Sequence, residues 1–146
     1  MNRAPEKLSA MLGASSRITQ NAAIAHYSGY GTDASKDGLS VLFGDGEGDF
    51  TLGKGSPFPV GHYPPSLAAG DINGDGITDI VLPNYRDNTL TIYLGGKNGN
   101  IRAAGSAIPV GRGPQCVAIG DLNSDGRADI VVVDETDNDI AILFRI

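Results

Sequence analysis

The chain has 146 residues, one domain's worth of sequence, and 40% of them are apolar, enough for a core. Its formal charge of −6 argues against a nucleic-acid reader, which carries a basic face, and no stretch approaches the ~18 apolar residues of a membrane span. With 21 glycines and 8 prolines, well above the usual share of about 12% for the two together, the chain turns often, which favours short strands over long helices.

Met1–Lys7 precedes a brief apolar patch, Leu8–Leu12, too short and interrupted for a secretory h-region. An export signal would have to be non-standard or lie outside this chain. Two readings of the first segment stand side by side. One is a short helix over Pro5–Leu12. The other aligns His26-Tyr27 with Asn84-Tyr85, which sets Gly13, Ser15, Arg17 and Asn21 opposite Asp71, Asn73, Asp75 and Asp79. On that alignment the first unit is a repeat whose acidic loop has decayed, with Arg17 supplying positive charge. Leu39–Gly44 then resembles Leu90–Gly95 and predicts a strand. Asp45, Glu47 and Asp49 follow in a Gly-rich hairpin and read as a solvated turn.

From residue 59 the chain repeats itself. At an offset of 50, residues 59–88 match residues 109–138 at 15 of 30 positions. Pro59-Val60-Gly61 meets Pro109-Val110-Gly111, Gly70-Asp71 meets Gly120-Asp121, Asp79-Ile80-Val81 meets Asp129-Ile130-Val131, and Asp87-Asn88 meets Asp137-Asn138. A period of this length points to a solenoid, propeller or array. The second unit predicts four strands, at Ser66–Gly70, Asp79–Pro83, Thr89–Leu94 and Ala103–Val110, with a turn at Gly95–Asn100. Four antiparallel strands in about 40–50 residues is the size of one propeller blade. In the third unit Asp139–Phe144 matches the third strand, and a fourth has no counterpart. The expected fold is all-β: about three blades of four antiparallel strands. Residues 1–60 form a degenerate first blade with an N-terminal segment, 61–110 a second, and 111–146 a third lacking its last strand.

Each full repeat carries the same acidic loop, Asp71-Ile72-Asn73-Gly74-Asp75-Gly76-Ile77-Thr78-Asp79 and Asp121-Leu122-Asn123-Ser124-Asp125-Gly126-Arg127-Ala128-Asp129. Oxygen-bearing side chains fall at loop positions 1, 3, 5 and 9, and Gly76 and Gly126 permit a sharp turn at position 6. Calcium takes 6–8 oxygens, so four side chains, the backbone carbonyl of Ile77 or Arg127 and water suit it. Magnesium dehydrates reluctantly, and neither loop offers the Cys or His that zinc favours. The expectation is two Ca2+ per chain, offsetting four negative charges, in a structural role. A plain Asx-rich turn without metal is the competing reading. A dockerin also uses such loops, but follows each with a helix. Here β-branched runs follow, Ile80–Pro83 and Ile130–Val133.

The loop motif, the strand after it and the later Leu-Gly-x-x-x-Gly turn resemble the FG-GAP/VCBS repeats, which build the integrin α-subunit β-propeller and many bacterial surface proteins. The resemblance covers residues 38–146, most closely 59–138. It implies calcium ligation by Asp71, Asn73, Asp75, Ile77 and Asp79, and by Asp121, Asn123, Asp125, Arg127 and Asp129. It departs in keeping Phe-Gly only at Phe43-Gly44, with no Gly-Ala-Pro after it. A closed propeller needs about 4–8 blades. Three imply a homo-oligomer, as a ring of two chains or an open filament, or further blades of a longer propeller.

No catalytic constellation stands out. There is no Gly-x-Ser-x-Gly and no metal-binding His pair; His62 reads as a surface or packing residue rather than a base. Cys116, the one cysteine, reads as a small core residue. Tyr63 and Tyr85 are candidates to stack on a sugar, and Tyr93 to pack between blades. The functional expectation is a non-catalytic, calcium-binding extracellular or cell-surface module that binds a glycan or protein ligand or assembles with itself. A structural subunit without a ligand, or a fragment of a larger secreted enzyme, are the alternatives.

Overall fold

A computed structural model describes residues 7–9, 21–27, 37–45 and 47–144. These residues form three antiparallel sheets, none closed on itself, with a single 3-10 turn at Lys97–Gly99. The first sheet runs β1 (Lys7–Ser9), β2 (Asn21–Tyr27), β3 (Gly38–Gly44) and β4 (Phe50–Leu52). The second runs β5 (Ala68–Gly70), β6 (Asp79–Asn84), β7 (Thr89–Gly95) and β8 (Ile101–Ala103), with β9 (Ile108–Pro109) also paired to β7. The third runs β10 (Pro114–Gly120), β11 (Asp129–Asp134) and β12 (Asp139–Leu143).

The apolar alternation of each strand sets the stacking, because successive side chains point to opposite faces. On the middle sheet Ile80, Leu82 and Tyr93 face the first sheet and pack with Ala23, Ala25, Leu39 and Val41. Val81, Leu90 and Ile92 face the other way and pack with Ile130 and Val132 of the third sheet. Every residue of β6 is therefore buried. Fully burying one such aliphatic side chain contributes about 1.5–3 kcal/mol, so the two interfaces hold the stack together.

Most strands fall where the sequence places them, with two differences. Residues 7–9 pair with β2 as a strand, where one reading expected helix. The decayed loop proposed at Gly13, Ser15 and Arg17 lies outside the described residues, while Asn21 opens β2. The expected single strand Ala103–Val110 is two. Ala103 pairs with Tyr93 and Ile108 with Leu90, so five residues on one side span three on the other. Gly105, at φ 145°, lets the excess bulge out. Cys116 is a further correction: it is exposed. It pairs with Val133 on the third sheet, one position out of phase with the buried row of Val117 and Val132.

Candidate metal centre

The two acidic loops occupy matched places. Residues 71–78 join β5 to β6, and residues 121–128 join β10 to β11. Antiparallel pairing of Gly70 with Asp79, and of Gly120 with Asp129, closes each loop at its base. Gly74, Gly76 and Gly126 all adopt positive φ of 78–81°, the conformation glycine takes without a Cβ penalty. Ser124 is held at φ 61° where the first loop has Gly74.

Inside each loop the side chains repeat one hydrogen-bonding pattern. Asp71 Oδ1 accepts the N–H of Gly74 at 2.7 Å and of Asp75 at 3.1 Å, and its Oδ2 accepts that of Gly76 at 2.8 Å. Asp121 Oδ1 accepts Asp125 N–H at 3.1 Å and Oδ2 accepts Gly126 N–H at 2.8 Å. Asn73 and Asn123 accept the N–H of Asp75 and Asp125, and donate through Nδ2 to Oδ2 of the same residues at 3.0 and 3.1 Å. Asp75 and Asp125 accept the N–H of Ile77 and Arg127. The final carboxylates differ in kind from the rest, because they are buried. Asp79 Oδ2 accepts Ile72 N–H at 2.9 Å and Oδ1 accepts Gly95 N–H at 2.9 Å. Asp129 Oδ2 accepts Leu122 N–H at 3.0 Å. Burial pushes the Asp79 carboxyl above its usual value; the N–H groups of Ile72, Gly95 and Asn73 pull it partly back and the Asp75 charge adds to the rise.

Among the described residues no three His, Cys, Asp or Glu side chains stand close enough together to hold a metal ion. The carboxylates turn onto main-chain N–H groups instead. The donor set nevertheless suits a hard cation. A carboxylate offers about four acceptor sites, and these N–H bonds leave some of them unused on Asp71, Asp75 and Asp79. The Asn73 amide is the one donor laid across the loop, on Asp75. Turning that amide aside would release two oxygens.

At the other end of β6 and of β11 from the loops lies a second repeated device. Asn84 Oδ1 accepts Gly61 N–H at 3.0 Å, and Asp134 Oδ2 accepts Gly111 N–H at 3.1 Å. Asp87 accepts the N–H of His62 at 2.8 Å and faces its Nδ1 at 2.7 Å. Asp137 takes Arg112 through its N–H and Nε, both at 2.6 Å, contacts that hold the Asp137 carboxyl below its ordinary value. A Cβ at Gly61 would stand 2.5 Å from Asn84 Cγ, and one at Gly111 2.5 Å from Asp134 Oδ2, so the approach requires glycine. The next sheet is tied in the same way. Asp37 accepts Tyr63 N–H at 2.8 Å, and Asn88 accepts Gly113 N–H at 2.9 Å. The Pro-Val-Gly and Asp-Asn identities at offset 50 carried this signal, though as a clip it was missed in the sequence.

The remaining candidates fall as follows. His62 is an exposed partner of Asp87. Asp45 accepts the N–H of Glu47 and Asp49 within its exposed turn, the first of these holding its carboxyl low. The Tyr63 and Tyr85 rings meet edge-on at 5.6 Å, with the Arg86 guanidinium 6.0 Å from the Tyr63 centroid. Tyr93 is buried between the first two sheets and donates its hydroxyl to Pro59 O. The acidic loops are followed by strands, which excludes the dockerin arrangement.

A search of curated proteins and of solved structures finds no match. A family model of the FG-GAP-like repeat matches residues 24–82 and again 71–132. The two matches overlap at residues 71–82, across the first acidic loop and into β6, and together span well over half of the chain. Antiparallel sheets, matched loops and a repeating clip agree with that assignment: the chain belongs to the FG-GAP-like repeat family.

Proposed function

We propose that the chain is a non-catalytic calcium-binding module of β-propeller blades, one blade in each of residues 1–60, 61–110 and 111–146. It acts at an extracellular or cell-surface location in adhesion, ligand binding or self-assembly. The observation that carries the reading is the duplication of one oxygen-rich loop, with most of its hydrogen bonds, at the same connection between two strands in successive sheets. Asp71, Asn73, Asp75 and Asp79, with the carbonyl of Ile77, supply one calcium site. Asp121, Asn123, Asp125 and Asp129, with the carbonyl of Arg127, supply the other. The ion neutralises three carboxylates in each loop and favours the charged form of Asp79, which burial disfavours. It locks the connection between the first two strands of a sheet. No helix among the described residues is long and apolar enough to cross a membrane.

Calorimetric titration of metal-free protein with calcium tests this directly. Two sites per chain are expected, with Kd in the range of about 10⁻⁴–10⁻³ M typical of extracellular modules, or tighter. Asp75→Asn and Asp125→Asn should each remove about one site. At a hundredfold excess over Kd each site adds about 2.7 kcal/mol of stability, read as a rise in Tm that a chelator reverses. No heat, no Tm shift and no terbium luminescence at millimolar metal would sink the proposal.

A further inference from the structure

The stack passes one face along the chain. In the first sheet Leu39 and Val41 face the second sheet; in the second, Leu90 and Ile92 face the third. The repeat places Ile140 and Ile142 at the same positions of the third sheet. There no further sheet of described residues covers them: Leu90 is 0% exposed and Ile140 61%, Ile92 7% and Ile142 42%. The loop residue Ile72, 5% exposed, packs into the second core, while its counterpart Leu122 is 51% exposed. Val133 and Phe144 extend the bare face, and Cys116 lies beside Val133 on it.

The opposite end of the stack is also apolar. Ile24 and Leu42 alternate away from the second sheet, and Phe50, opposite Gly44 on β4, is 51% exposed. Their counterparts on the second sheet, Leu82, Tyr93 and Ile101, all pack against the first. All seven strongly exposed large apolar side chains among the described residues lie at these two ends. The polar tether points the same way. Asp37 and Asn88 each accept an N–H from the connector to the next sheet. Asn138 stands third in this series, at φ 54° against 56° for Asn88.

We propose that the outer face of the third sheet in one copy docks on the outer face of the first sheet in a second copy, head to tail. The proposal rests on the reading of the chain as a repeat module and adds the surface and the partner. The exposed end is equivalent, residue for residue, to two faces that this chain already covers with the complementary face, and both faces are present on one molecule. Such a contact is heterologous and builds rings or filaments.

The test uses the 146-residue chain in calcium, by sedimentation velocity from about 1 to 100 µM, where mass action exposes association. Reactivity of Cys116 toward a thiol reagent is followed in parallel. Ile140→Asp blocks one end and Phe50→Asp the other; both sites are exposed, and circular dichroism verifies that each variant folds. The wild type should associate, with Cys116 labelling slowed about tenfold as concentration rises through the association range. Each variant alone should stay monomeric with a reactive Cys116. Mixed, they should form 1:1 dimers, because each retains the face the other lacks. A monomeric wild type whose Cys116 reacts equally at all concentrations overturns the proposal. So does self-association of Phe50→Asp alone, which would mean the third sheet pairs with itself, or failure of the two folded variants to pair. Terbium luminescence of monomeric Ile140→Asp reports the metal sites separately, so loss of metal binding and loss of docking are told apart.

Discussion

Asn84 and Asp134 occupy one place in successive sheets and meet the same demand with different chemistry. Both accept a glycine N–H. Asn84 also donates to the hydroxyls of Thr89 and Thr91 at 3.0 and 2.9 Å, where the third sheet has Asp139 and Ala141. Asp134 is left with Oδ1 buried and unpartnered. Burial pushes its carboxyl above the ordinary value, the Asp139 and Asp137 charges add to the rise, and the Gly111 N–H opposes it. A folded-state pKa above the unfolded one means that this group favours folding below the unfolded value and loses that favour as pH rises through the folded one. Asp134→Asn should therefore stabilise the protein at pH 7 by about 1–2 kcal/mol, the scale of a buried unsatisfied group. The gain should shrink as pH falls through the carboxylate range. Urea midpoints at pH 7 and pH 4 check it; a gain that does not depend on pH counts against the account. Ser124 offers a second residue-scale comparison. A non-glycine residue in the left-handed region costs about 1–2 kcal/mol, and glycine returns about half of that through chain entropy. Ser124→Gly should raise stability by about 0.5–1 kcal/mol, read as an increase in Tm. At this scale the sequence was legible where residue type and spacing coincide, as in the acidic loops. It was less so where a glycine acts by what it lacks: Gly61 and Gly111 matter because no Cβ fits against Asn84 or Asp134.

Strands followed from alternation wherever one face is buried and the other is not, and β7 lies close to its expected span. The fourth strand of the second unit did not follow, because a two-residue excess around Gly105 is invisible to a period-two pattern. Nor did Cys116, whose short apolar neighbourhood reads as core although β10 exposes one of its faces. The junctions between elements carry a further prediction. Asn88→Gly keeps the left-handed backbone but removes the acceptor for Gly113 N–H. The loss should be about 1 kcal/mol, with faster hydrogen exchange at Gly113, whereas Asn88→Asp, which retains the oxygen, should leave exchange unchanged. If both variants behave alike, the tether is not what joins the sheets.

The molecule as a whole is organised by neighbours: the first sheet touches the second and the second the third, through two separate cores. In such an array stability is a sum of unit and interface terms, and equal residues have unequal value by position. Leu90 and Ile140 are repeat equivalents on strands of the same alternating pattern, one sealed between sheets and one on the surface. Leu90→Ala should cost about 2–5 kcal/mol as a cavity mutation. Ile140→Ala, measured at concentrations where the chain is monomeric, should stay within about 0.5 kcal/mol. Denaturant curves for the two variants decide it, and comparable losses would contradict the stacking order. The sequence conveys the units and their faces but not which faces are covered, because coverage belongs to the order of stacking and not to any one strand.

The ties between sheets grip main-chain N–H groups, but the space beyond differs from one junction to the next: a Cβ at Gly113 would collide with Thr136 Oγ1. Tyr63 and Gly113 are held at matched junctions and share only a left-handed backbone, φ 57° and 67°. One presents an aromatic ring and the other a hydrogen atom, on the same frame. Each junction thus fixes the same main-chain path and lets its surroundings differ: at one a ring set edge-on against Tyr85, at the other a close fit against Thr136 that only glycine permits.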